Sequence, residues 1–93
     1  MVQCLSIDPA SRVLELGSGH GVAASHICDR LTTGTYLGVD RSEKMTDSAC
    51  SRNHRHVASG LASFHTAQVA GLRFDGLFDL ILAIHFPPLL RQS

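Results

Sequence analysis

Three glycines within five residues, Gly17, Gly19 and Gly21, follow directly on the apolar run Val13-Leu14-Glu15-Leu16. Glycine loses more backbone freedom on folding than any other residue, so such a cluster implies that something approaches the main chain closely. Two carboxylates accompany it. Glu15 stands two residues ahead of the first glycine, and Asp40 closes a second apolar run, Tyr36-Leu37-Gly38-Val39. Each has a bland role open to it: a structural partner for Glu15, and a cap on the following helix for Asp40. The position of Glu15 beside the loop favours binding, and Ser42 already serves as the cap, which frees Asp40. A dinucleotide loop spaces its glycines G-x-G-x-x-G, which from Gly17 puts the third at position 22. Position 22 is Val and the spacing is G-x-G-x-G, one residue shorter, which disfavours a nicotinamide-dependent oxidoreductase.

The remaining chemistry-bearing side chains are scattered. Among six histidines, His54 and His56 are two apart and therefore project from different faces of a helix. No cysteine or acid completes a set at ligand spacing, so no metal site is expected. His85 follows the last apolar run and is a candidate base or substrate contact, with a structural role equally open to it. Cys4, Cys28 and Cys50 are an odd, widely spaced set, expected to be buried and reduced, which makes the cytoplasm the default compartment.

The elements that must hold these residues read as an alternation. Residues 11–16 form a short strand after the turn Asp8-Pro9-Ala10. Val22, Ala23, Ile27 and Leu31 recur at helical spacing over residues 20–31. Residues 36–39 form a second strand. Ser42 caps a second helix, with Glu43 favourable in its first turn, and this helix is expected to run to Ser59 before Gly60 stops it. Residues 62–66 make a third strand and 78–84 a fourth, ended by Pro87-Pro88. Strands alternating with helices, and a fourth strand apolar along its length, define an α/β fold on a parallel sheet. Ninety-three residues allow one small domain, 1–93. Eight basic residues balance eight acidic ones, so no electrostatic grip on nucleic acid is evident. No apolar run approaches the roughly 20 residues that span a bilayer, and Met1-Val2-Gln3-Cys4-Leu5 lacks the basic and apolar regions of a signal peptide, so none is expected.

With the glycine loop, the second strand and the fourth strand in place, the chain resembles the class I S-adenosylmethionine-dependent methyltransferases. Residues 13–21, VLELGSGHG, are similar to the family's first motif, E/D-x-G-x-G-x-G. Residues 36–45 resemble its second strand, terminal acid and D-x-S-x-x-M turn, and residues 78–84 its fourth strand. The resemblance covers roughly residues 11–90 and implies a partial Rossmann-like sheet of four strands in the order 3-2-1-4 with two main helices. It implies S-adenosylmethionine as cofactor. Gly17, Ser18, Gly19 and Gly21 would line its amino-acid tail and sugar, Glu15 would face its ammonium end, and Asp40 would accept the ribose hydroxyls. Met45 and the apolar part of Arg41 would cover the adenine.

Two departures from the family pattern stand out. Where members often carry Asp-Ala after the third strand, this chain has Thr66-Ala67-Gln68, so adenine recognition would rest on main chain at Ala67 or on Gln68. His85-Phe86-Pro87-Pro88 lacks the amide of the nitrogen methyltransferases' N-P-P-Y/F motif, and that chemistry is not expected. The resemblance also implies a seven-stranded sheet in roughly twice this length, which makes the chain a truncated or split member. With both helices on one face and no helix expected over residues 67–77, the other face would be bare. A second copy, making a homodimer, or a partner chain would then cover it. Two functions follow: methyl transfer to an unidentified acceptor in the full-length context, or a catalytically inactive remnant serving as a dimerisation or scaffold module.

Overall fold

A computed structural model of the chain describes residues 7–68 and 77–83. In chain order the elements are β1 (Arg12–Leu16), α1 (Val22–Cys28), β2 (Thr35–Asp40), α2 (Glu43–Arg52), α3 (His54–Ala58), β3 (Ala62–Thr66) and β4 (Leu80–Leu82). The four strands form one parallel sheet in the order β3-β2-β1-β4, the order expected from the sequence. Parallel neighbours need a crossover, and α1 and the α2–α3 pair supply the first two.

Register decides which residues meet the helices. Val13 pairs with Tyr36 and Leu80, Glu15 with Gly38 and Leu82, and Tyr36 with Ala62. These side chains share the face packed by Ala23, Ala24, Ile27 and Cys28 of α1, with Val57 of α3 against the same cluster. The α2 helix joins this layer through Thr46, whose hydroxyl lies 2.7 Å from that of Thr66. On the opposite face Leu14 and Val39 are also buried, whereas Ile81 is 49% exposed. No helix among the described residues is long and apolar enough to cross a membrane.

Two expectations about helices need correcting. The first helix spans Val22–Cys28 and not residues 20–31: the chain is still turning through Gly21 at its start, and the helix stops three residues before Leu31. The second does not run unbroken to Ser59. It stops at Asn53 (φ −112°, ψ 29°), and a separate five-residue helix, α3, continues to Ala58. The cause is the Asn53 amide, buried at 3% exposure, whose Nδ2 donates to the carbonyls of Gly21 and Ala49, both at 3.0 Å. An asparagine side chain that bonds main chain in this way competes with helix propagation. Ser42 does cap α2, accepting from the Met45 N–H, and Gly60 ends α3 with φ +85°.

Close main-chain approach sets the spacing between β1 and the chain entering β2. A Cβ on Gly34 would collide with the carbonyl oxygen of Ser11. At the other border, Arg12 and Asp79 join β1 to β4. The Arg12 N–H donates to Asp79 Oδ2 at 2.8 Å, its guanidinium reaches both carboxylate oxygens at 3.3 Å, and the Asp79 N–H donates to the Arg12 carbonyl. This pairing lowers the Asp79 pKa and raises that of Arg12.

Candidate functional site

The carboxyl ends of β1, β2 and β3 converge on one edge of the sheet, and the glycine loop is built from that convergence. Gly17 and Ser18 both donate their N–H groups to the Val39 carbonyl, at 2.7 and 3.2 Å, which folds the loop back over the end of β2. Gly17, Gly19 and Gly21 have φ of 76°, 58° and 84°, the left-handed region that a side chain strongly disfavours. At Gly21 space is short as well. A Cβ there would lie 2.7 Å from Asn53 Nδ2 and 2.9 Å from the Ala49 backbone.

Asp40 sits beneath this loop. Its Oδ2 accepts the Gly19 N–H at 3.0 Å, and its Oδ1 accepts the Ser42 N–H at 2.9 Å. Asp40 therefore ties the glycine turn to the residue that caps α2, while the cap itself is Ser42. An ionised carboxylate has about four lone-pair sites, and these two bonds use one on each oxygen. Each oxygen thus retains capacity for a further donor. The Asp40 carbonyl accepts the Ala67 N–H at 3.0 Å, which brings the segment after β3 alongside. Arg41 and Gln68 are exposed at this edge, and Met45 and Ala67 are half-buried. Ser18 is fully buried, and its hydroxyl has no hydrogen-bond partner among the described residues. His85 lies outside the described residues.

Glu15, like Ser18, exposes no surface, and the Tyr36 hydroxyl donates to its Oε1 at 2.5 Å. Burial raises its pKa from 4.5 to about 7, and the bond from Tyr36 offsets part of that rise. Tyr36 is itself pushed far above the phenol range, by burial first and then by the neighbouring carboxylate, so it acts as a donor throughout. Room for this pair comes from Gly38, since a Cβ there would lie 2.8 Å from both the Tyr36 hydroxyl and the Phe64 ring. The Tyr36 and Phe64 rings pack with centroids 5.5 Å apart. The carboxylate thus stands inside the core, on the strand that leads into the loop.

Two further contacts hold the loop and were not foreseen. The Gly21 carbonyl accepts from Asn53 Nδ2 and from the Ser25 hydroxyl, and the Ser25 hydroxyl also reaches Asn53 Oδ1 at 2.7 Å. His20 Nδ1 lies 3.2 Å from the Ser48 hydroxyl. The signal for the first was a polar residue in mid-helix, where asparagine is a poor helix former. Thr66, in the place of the family's adenine-reading acid, is turned to Thr46 of α2. Among the described residues no three His, Cys, Asp or Glu side chains cluster as a metal site.

A parallel sheet with a glycine turn at the end of its central strand, and an acid at the end of the next, is a Rossmann-like ligand-binding domain. Comparison with known proteins narrows this. The family described as "Methyltransferase domain" matches residues 13–92. The chain belongs to that family and to its class I S-adenosylmethionine-dependent fold. A methyltransferase from Thiobacillus denitrificans, solved in complex with S-adenosyl-L-homocysteine, is 25% identical with a TM-score of 0.76 over 91% of this chain. One from Geobacter sulfurreducens, with the same ligand, is 24% identical with a TM-score of 0.72 over 86% of the chain. A putative methyltransferase from Thermoplasma acidophilum is 25% identical, with a TM-score of 0.73 over 84% of the chain. The match takes in 34%, 32% and 34% of those chains respectively, so this chain spans about a third of their length. No curated protein sequence matches it.

Proposed function

We propose that the chain binds S-adenosylmethionine and forms the cofactor-holding part of a methyltransferase acting on an acceptor yet to be identified. The observation that carries this reading is the glycine turn docked on Asp40, with lone pairs left on both carboxylate oxygens. A ribose diol presents two O–H donors, and that remaining capacity suits it. The cofactor carries no phosphate, which agrees with a turn one residue too short for a dinucleotide pyrophosphate. Gly17 and Gly19 would leave main chain open to the amino-acid tail. Met45, Arg41, Ala67 and Gln68 border the place where the adenine would lie. Glu15, fully buried against Tyr36, would act by bracing the strand that leads into the turn. When bound, the cofactor supplies an electrophilic methyl group, and the protein's contribution to rate is to hold acceptor and methyl donor close and aligned.

Isothermal titration of the chain with S-adenosylhomocysteine tests the reading. Binding is expected, and Asp40→Ala should weaken it at least about tenfold, since the loss of one charge-assisted hydrogen bond is worth about 1.5–3 kcal/mol. Absence of heat from protein that is folded by circular dichroism would overturn it.

A further inference from the structure

Four of the five residues Arg52-Asn53-His54-Arg55-His56 carry basic side chains. They straddle the break between α2 and α3 and, with Ser25 and Asp29 of the α1 segment, line a cleft of about 290 Å³. Its Asp29 rim is at the C-terminal end of α1, whereas the glycine turn is at the N-terminal end. A basic residue in a last helical turn ordinarily offsets the helix dipole. Arg52 in α2 and Arg55 and His56 in α3 occupy such positions. That role calls for no shared concavity, yet here the side chains border one.

Their partners set the chemistry. His56 Nε2 lies 3.4 Å from Asp29 Oδ1, while Arg52, His54 and Arg55 make no ion pair among the described residues. The contrast is Arg12, which is bridged to Asp79. The floor is polar but satisfied: both Nδ2 bonds of Asn53 go to main chain, and its Oδ1 accepts from Ser25. Within the cleft, donor capacity without a partner therefore lies in two guanidinium groups, whose planar forks match the oxygens of phosphate.

We propose that this cleft binds the phosphate group of a small phosphorylated molecule. Arg52 and Arg55 supply the principal donors, and His54 and His56 stand beside them. Asp29 stands at the rim with its Oδ1 3.4 Å from His56 Nε2, turned to that ring and not to the arginines. The volume exceeds that of phosphate alone and leaves room for a group of about sugar size. The cations are exposed to solvent, so binding is weak to moderate and falls with salt.

The test is a titration of the isotopically labelled 93-residue chain with inorganic phosphate, followed by amide shifts, against sodium chloride at matched ionic strength and pH. Saturable shifts are expected at residues 52–56 with phosphate only. The double variant Arg52→Ser/Arg55→Ser should raise the dissociation constant at least tenfold, while Lys44→Ser, which removes one exposed charge from the start of α2, should leave it within twofold. Equal shifts with chloride, shifts centred on residues 17–21, or unchanged binding by the double variant would each overturn the proposal. Because both arginines are exposed, the variant spectrum should otherwise superimpose on that of the parent.

Discussion

Replacing Glu15 by Gln separates a core brace from a ligand contact, and the size of the effect follows from the structure. A carboxyl group titrating near 7 in the folded chain and near 4.5 when exposed binds its proton more tightly in the folded state. Below about pH 4.5 both states carry the proton, and nothing is lost. Between 4.5 and 7 the unfolded state releases it first, so stability falls as pH rises. Above 7 the whole difference persists. At about 1.4 kcal/mol per tenfold change in proton affinity, the loss is about 3 kcal/mol. That is a large share of the roughly 5–14 kcal/mol expected for a domain of this size. Glu15→Gln keeps an oxygen for Tyr36 and cannot ionise. Urea unfolding of both proteins from pH 4.5 to 8 should show the variant gaining about 3 kcal/mol relative to the parent, most of it before pH 7.5. Other titrating groups cancel in the difference. A stability difference between the two proteins that stays constant with pH would refute the reasoning, as would a variant that loses stability relative to the parent as pH rises.

Gly21→Ala should destabilise the fold by at least about 2 kcal/mol in thermal or urea unfolding, because the residue is left-handed and its Cβ would meet Asn53 and Ala49. Asn53→Ala removes three hydrogen bonds, two of them buried, and leaves the Gly21 carbonyl with fewer donors, for a loss of about 2–4 kcal/mol by the same measurement. Cys28 is fully buried with its thiol pushed up to about 12, chiefly by burial, whereas Cys50 is partly exposed. Iodoacetamide at pH 8 should therefore label Cys28 at least about tenfold more slowly than Cys50, read by peptide mass spectrometry.

The topology was legible in the sequence because period and turn chemistry agree. Val13 and Tyr36 are buried on the face that the helices cover. Leu14 and Val39 are buried on the other, which the edge residue Ile81 leaves only partly covered, so the expected bare face holds at the edge and not at the centre. Ser42 and Gly60 fixed the outer limits of the second helical region by capping chemistry alone. What local pattern could not reveal depended on partners distant in sequence. Asn53 breaks that helix because Gly21, 32 residues earlier, offers it a carbonyl. Glu15 lies in the core because Tyr36 and the missing side chain of Gly38 make a place for it. In the site, the loop and Asp40 could be paired from their positions at adjacent strand ends. The two N–H groups that share the Asp40 carboxylate became visible only in the folded chain.

The strand order also bears on how this chain acquires its shape. The contact between β1 and β2 joins residues such as Glu15 and Tyr36, 21 apart, whereas Arg12 and Asp79, which join β1 to β4, are 67 apart. Closing the longer loop costs about 1 kcal/mol more in chain entropy. A nascent polypeptide can therefore assemble β1 to β3 as they leave the ribosome, while the flank of β1 awaits its last neighbour. Until β4 docks, that flank of β1 is an open edge. The interval before docking is when this protein is most vulnerable to pairing with a stray strand.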